Sequence, residues 1–154
     1  MGKRDKLRAT KLYQRACRWH SSDACESWAD ALPLSKALVV LRAACKQIKS
    51  VCFALAKRLR NSGKPKLVAQ SMRIFRPLCR AGQISACTYI AYALFHGKGV
   101  PKDKAAGLQF YKYACQHGSA SGCVSVGHVY EDKKLGKYHL RKPFYQRACD
   151  GGDD

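Results

Sequence analysis

The sequence predicts an all-α fold, an αα-hairpin repeat solenoid of about four and a half repeats and about nine helices, stapled by disulfides. Two observations carry the architecture. A hexapeptide closing on cysteine occurs five times: LeuTyrGlnArgAlaCys (12–17), ValLeuArgAlaAlaCys (40–45), IlePheArgProLeuCys (74–79), PheTyrLysTyrAlaCys (110–115) and PheTyrGlnArgAlaCys (144–149). The closing cysteines stand 28, 34, 36 and 34 residues apart, a period suited to two short helices per repeat. The second observation is another cysteine seven or eight residues after each of the first four, at 25, 52, 87 and 123.

Helices closing on the hexapeptide are expected near 3–18, 35–47, 65–80, 103–117 and 138–150. In the fourth, Ala105, Leu108, Tyr111, Ala114 and Cys115 share one face at helical spacing, the pattern of a half-buried helix. Pro65 and Pro101 each stand 14 residues before a closing cysteine and two after a glycine, as in a turn that opens a helix. Gly82, Gly118 and Gly152 each follow their cysteine by three residues, where a left-handed residue ends a helix.

The second helix of each pair is expected near 23–32, 51–61, 85–96 and 121–132. Counting from its cysteine, an apolar residue stands at three and a small one at four: Trp28 and Ala29, Leu55 and Ala56, Ile90 and Ala91, Val126 and Gly127. Leu32, Leu59, Leu94 and Tyr130 follow at seven. Small residues at a fixed helical position let two helices approach closely. Pro77 and Pro143 fall inside expected helices and predict a kink or a shortened helix. Residues 32–35 leave room for only a very short turn. No linker divides the chain, so residues 1–154 read as one repeat domain.

The chain resembles the Sel-one-like repeat family, relatives of the tetratricopeptide repeats. The residues that carry this are GlyLysGlyValProLysAsp (97–103), LeuGlnPheTyrLysTyrAlaCysGlnHisGly (108–118) and ValGlyHisValTyr (126–130). It weakens over 31–66, where the repeat is short and the glycine loop is missing. The paired cysteines resemble the family's cysteine-rich branch, in which each pair bridges neighbouring helices. The resemblance implies a scaffold or adaptor with no fixed catalytic motif. That branch includes secreted bacterial proteins, some credited with penicillin binding, and a mitochondrial factor for cytochrome oxidase assembly.

On this footing the expected bridges are Cys17–Cys25, Cys45–Cys52, Cys79–Cys87 and Cys115–Cys123. The competing reading keeps these cysteines reduced, as small buried residues at a helix contact. Cys149 has no partner and reads as the remainder of an incomplete terminal repeat. No CysXXCys occurs, and the five histidines form no cluster at structural-zinc spacing, so no metal is expected. No phosphate loop, serine-hydrolase elbow or metalloprotease signature is present, and neither an enzyme nor a cofactor is expected.

The net charge is +19, and no acidic residue occurs between Ala31 and Lys102. Unbalanced charge repels itself and destabilises a compact state, so a one-signed surface points to an anionic partner. Arg4, Arg8, Lys11, Arg15 and Arg18 form one stripe on the first helix. Lys57, Arg58, Arg60, Lys64 and Lys66 gather around the turn after the fourth, and Arg73, Arg76 and Arg80 repeat the stripe on the fifth. Arginine forks match phosphate oxygens and bind a backbone without reading sequence. Because most aromatics occupy repeat core positions, structured RNA or an acidic protein is expected rather than stacked single strands.

No run approaches the length of a membrane-spanning helix, and no secretory signal stands at the start. Disulfides without a signal combine best in mitochondria. The Arg-rich N-terminus is transit-peptide-like but belongs to the repeat, so it is expected to be retained. The expected role is a subunit of a large complex, with a mitochondrial ribosome component on ribosomal RNA as its sharpest form. A respiratory-complex subunit or assembly factor facing anionic lipid is the alternative. A secreted bacterial repeat protein that binds β-lactams is the third reading.

Overall fold

A computed structural model describes residues 3–131 and 138–150, with side chains from residue 7 onward. Among these residues there are nine α-helices: α1 (Lys3–Arg18), α2 (Ser22–Asp30), α3 (Leu34–Gln47), α4 (Val51–Arg60), α5 (Pro65–Arg80), α6 (Ile84–His96), α7 (Lys104–Gln116), α8 (Ala120–Glu131) and α9 (Arg141–Asp150). A 3-10 turn at Tyr138–Leu140 leads into α9. The all-α repeat architecture read from the sequence is the one observed. Four disulfides join Cys17 to Cys25, Cys45 to Cys52, Cys79 to Cys87 and Cys115 to Cys123. Each fastens the end of one helix to the start of the next.

The helices cluster into two compact units, Met1–Ile74 and Phe75–Asp154, with the division inside α5. In the first unit α1 packs on α2, α2 on α3, and α3 on α4. Its core gathers Leu38, Leu41, Val51, Leu55 and Leu59, with Leu67 and Ile74 of α5 packed against it. In the second unit α6 packs on α7, α7 on α8, and α8 on α9. Its core centres on Ala91, Tyr111, Val126 and Tyr130.

The repeat positions explain what is buried. The residue four before the closing cysteine is Leu41, Phe75 or Tyr111 in the internal copies, at 2%, 0% and 4% exposure. The small residue four after the second cysteine is buried as Ala29, Ala56, Ala91 and Gly127. A further small position stands eight before the closing cysteine, where Ala37, Ser71 and Gly107 are all buried. Ser71 satisfies its hydroxyl by donating to the Val68 carbonyl at 2.6 Å, which keeps a polar atom in this contact without cost to hydrogen bonding.

Among the glycines at these positions, Gly107 is the one pressed against the backbone of a neighbouring helix. A Cβ there would lie 2.8 Å from the Phe95 backbone nitrogen and 3.0 Å from the Ala91 carbonyl oxygen. Both obstacles are α6 backbone, which cannot rotate away. Gly107→Ala is therefore expected to destabilise the fold by about 1–3 kcal/mol by forcing α6 and α7 apart. Urea unfolding followed by circular dichroism would read this, and an unchanged midpoint would refute it.

The turns follow the sequence reading. Gly82 and Gly118 adopt φ of 88° and 86°, and Gly152 lies outside the described residues. His20 occupies the same repeat position with φ 66°, so the first copy places a side chain where the third and fourth carry glycine, while the second has Ile48 in extended conformation. Serines and an aspartate start the following helices. Ser21 accepts from the Ala24 N–H at 3.3 Å, Asp103 from Ala106 at 2.9 Å, and Ser119 from Gly122 at 3.0 Å. Each satisfies a donor that the first helical turn leaves open.

The prolines behave differently from one another. Pro65 is the first residue of α5, whereas Pro101 lies three residues ahead of α7. Pro143 falls in the first turn of α9, where its missing N–H has no helical partner to lose. The helix expected from 138 thus starts as a 3-10 turn and becomes α-helical at Arg141. Pro77, by contrast, neither ends nor shortens α5, which runs unbroken from Pro65 to Arg80. Downstream bonding resumes at once, with the Ala81 N–H donating to the Pro77 carbonyl at 3.0 Å.

A candidate polyanion-binding surface

The stripe on α1 is exposed. Arg8, Lys11, Arg15 and Arg18 all face solvent, while the side chain of Arg4 lies outside the described residues. The intervals of three and four residues keep these groups on one side of the helix. Apolar residues flank them: Leu7 is 61% exposed, Leu12 63% and Trp19 83%. The sequence reading had assigned most aromatics to the core. Trp19 follows α1 directly, next to Arg18 in the chain, and is an exposed aromatic at the end of the helix that carries the stripe.

The group around the end of α4 is not uniform. Arg58 turns inward, its Nη1 3.0 Å from the Asp30 carboxylate and its Nη2 donating to the Ala29 carbonyl at 3.3 Å. It ties α4 to the C-terminal end of α2, where a cation also meets the negative end of the helix dipole. Lys57 sits 5.8 Å from the centroid of the Phe53 ring, and Arg60 donates to Asn61 at 3.0 Å. Lys64 and Lys66 are exposed in and after the turn, as are Arg73, Arg76 and Arg80 on α5. Exposed basic rows thus stand on α1 and on α5, the longer one on α1, and Arg58 has a fold-holding task.

Cys149 is exposed and unpaired on α9. Among the described residues no group of three or more His, Cys, Asp or Glu is gathered for a metal. No helix of the described residues is long and apolar enough to cross a membrane.

A polar cluster that the sequence did not announce joins α8 to α9. His128 Nδ1 lies 3.2 Å from the Glu131 carboxylate and 3.3 Å from the Tyr145 hydroxyl. Hydrogen bonds from His128 and Tyr145 hold the Glu131 carboxyl below its ordinary pKa. Burial, followed by the Glu131 carboxylate, pushes the Tyr145 phenol upward. The cluster sits beside Gly127, where a Cβ would come within 2.5 Å of the Tyr145 ring.

The Sel1 repeat model matches residues 1–18, 84–119 and 144–153. Nothing among the curated proteins matches the sequence. Among solved structures, a Sel1 repeat protein from Oxalobacter formigenes is similar, with a TM-score of 0.67 and 19% identity over 87% of this chain and 60% of that one. A protective antigen present in uropathogenic Escherichia coli strains, displaying an SLR fold, is similar with a TM-score of 0.72 and 21% identity over 94% of this chain. This chain covers 60% of the first structure and 33% of the second. The chain thus carries Sel1 repeats over those three stretches, shares the fold of Sel1 repeat structures over most of its length, and adds a disulfide in each of four successive helix pairs.

Proposed function

We propose that the chain is a non-catalytic repeat scaffold that holds protein partners against a polyanion, with the α1 face as the polyanion contact. The observation that carries this is the exposed row Arg8, Lys11, Arg15 and Arg18 in a chain of net charge +19. Structured RNA is the polyanion that an arginine row of this spacing suits, because phosphate oxygens accept from guanidinium forks along a backbone. Ribosomal RNA in a mitochondrial ribosome is the sharpest form of the reading. The solved neighbours are bacterial, and the disulfides suit an oxidising compartment. Both favour a second reading, an exported bacterial scaffold whose basic face meets an anionic surface.

Binding to an RNA duplex should weaken steeply with salt, because each phosphate contact releases counterions. Replacing Arg8, Lys11, Arg15 and Arg18 by glutamine is expected to reduce the slope of log K against log salt by about three to four. Filter binding across a salt series checks this. Salt-insensitive binding, or an unchanged slope in the quadruple variant, would sink the α1 assignment. Binding to vesicles of anionic lipid but not to RNA would favour the second reading.

A further inference from the structure

We propose that the second unit carries a site for a small apolar anion, an aromatic or aliphatic body bearing one carboxylate or sulfonate. The site is the groove between α6, α7 and α8, a cavity of about 680 Å³, within the size range that encloses small organic ligands. Tyr92 and Phe95 of α6, Leu108 and Tyr111 of α7, and Val129 of α8 make its apolar walls. Lys104, the first residue of α7, supplies the charge at one end, with its Nζ 5.6 Å from the Phe95 ring centroid. The carboxylates beside the groove are committed elsewhere. Asp103 accepts the Ala106 N–H at the start of α7, and Glu131 is held by His128. An apolar body against these rings, with its anionic group at Lys104, satisfies both halves of the site.

The repeat itself supports the assignment. The first unit has a cavity at the corresponding place, lined by Asp30, Leu41, Ala54, Lys57 and Arg58 among others, but of only about 200 Å³. Leu41 is the counterpart of Tyr111, Ala54 of Ser125, and Lys57 of His128 by position from the cysteines. There the Arg58–Asp30 ion pair spans the space at 3.0 Å. The same two repeat positions in the second unit are Val129 and Tyr92. Neither carries a charge, so the ion pair of the first unit has no counterpart at these positions, and both residues line the groove instead.

The test uses 8-anilinonaphthalene-1-sulfonate as the anionic probe and N-phenyl-1-naphthylamine as its neutral counterpart, with the intact oxidised chain. The anion should bind with enhanced fluorescence, and amide shifts should concentrate at residues 92–129. Lys104→Ala should weaken the anion by about fivefold and leave the neutral probe nearly unaffected. The double variant Tyr92→Asp with Val129→Arg installs the ion pair of the first unit and should abolish binding of both probes. If that variant, folded by circular dichroism, binds as the parent does, the site is overturned. It is equally overturned if Lys104→Ala has no selective effect, or if the shifts spread over α1 instead. Lys104 is exposed, so its replacement keeps the test valid should the double variant fail to fold.

Discussion

Full reduction of the four disulfides is expected to unfold the chain at room temperature. Each bridge closes a short loop, with its cysteines seven or eight residues apart. In the chain-entropy account such a loop contributes about 2.5 kcal/mol by restricting the unfolded state. Four of them contribute about 10 kcal/mol, as large as the whole net stability of many domains. The effect is compounded by position. Cys25, Cys87, Cys115 and Cys123 are at most 1% exposed, so reduction also leaves thiols to be accommodated inside helix contacts packed around a shared bond. Far-UV circular dichroism with a phosphine reductant, alongside intact mass to confirm eight new thiols, reads the outcome. Full helicity with a cooperative melt after complete reduction would show that packing alone holds the repeats. Removing one bridge, by Cys115→Ala with Cys123→Ala, should cost about 2.5 kcal/mol and leave the chain folded.

Phe75→Ala is expected to cost about 3–5 kcal/mol, the second largest effect. Phe75 is 0% exposed and its ring stacks on that of Tyr89, with centroids 5.0 Å apart and planes at 21°. Truncation removes the transfer term of a whole ring and leaves a hole between α5 and α6 that two backbone segments cannot easily fill. Phe75→Leu should cost less than about 1.5 kcal/mol, because it keeps most of the volume. The matching change Tyr13→Ala, at the same repeat position but on a residue 41% exposed, should stay below about 1 kcal/mol. Urea midpoints of the three variants, taken with unchanged slopes, decide the point. Equal losses for Phe75→Ala and Tyr13→Ala would mean that repeat position, not burial, sets the cost.

The contrast between those two residues marks how far the sequence could be read. The hexapeptide announces a helix and its inward face, because apolar periodicity and the closing cysteine are local signals. It gives Leu41, Phe75 and Tyr111 correctly as core. It says the same of Tyr13 and Leu12, which stand exposed, because burial also needs a neighbouring helix that the motif does not contain. Gly82 and Gly118 were legible as left-handed residues from their place after a helix end. Gly107 was not, since a glycine inside a helix carries no local sign of the backbone pressed against it. Arg58 looked like one more charge in a basic run. Its partner Asp30 stands 28 residues earlier in the chain, and only packing of α4 on α2 brings the two together. The groove of the second unit was hidden for a related reason. Its signal is the loss of a charge pair at two repeat positions, visible only once the copies are aligned and the pair is seen closed in one of them.

The spacing of the bridges also bears on how the chain acquires its covalent structure. Eight cysteines can pair in 105 ways, yet every native bond joins a cysteine to its next neighbour along the chain. A tether of seven or eight residues gives the correct thiol a far higher effective concentration than one about 34 residues away, since closure probability falls with loop length. Each hairpin can therefore oxidise on its own as it emerges, from the N-terminus onward, with no reshuffling among distant thiols. Cys149, whose nearest predecessor Cys123 is 26 residues away, is the weakest competitor in that race.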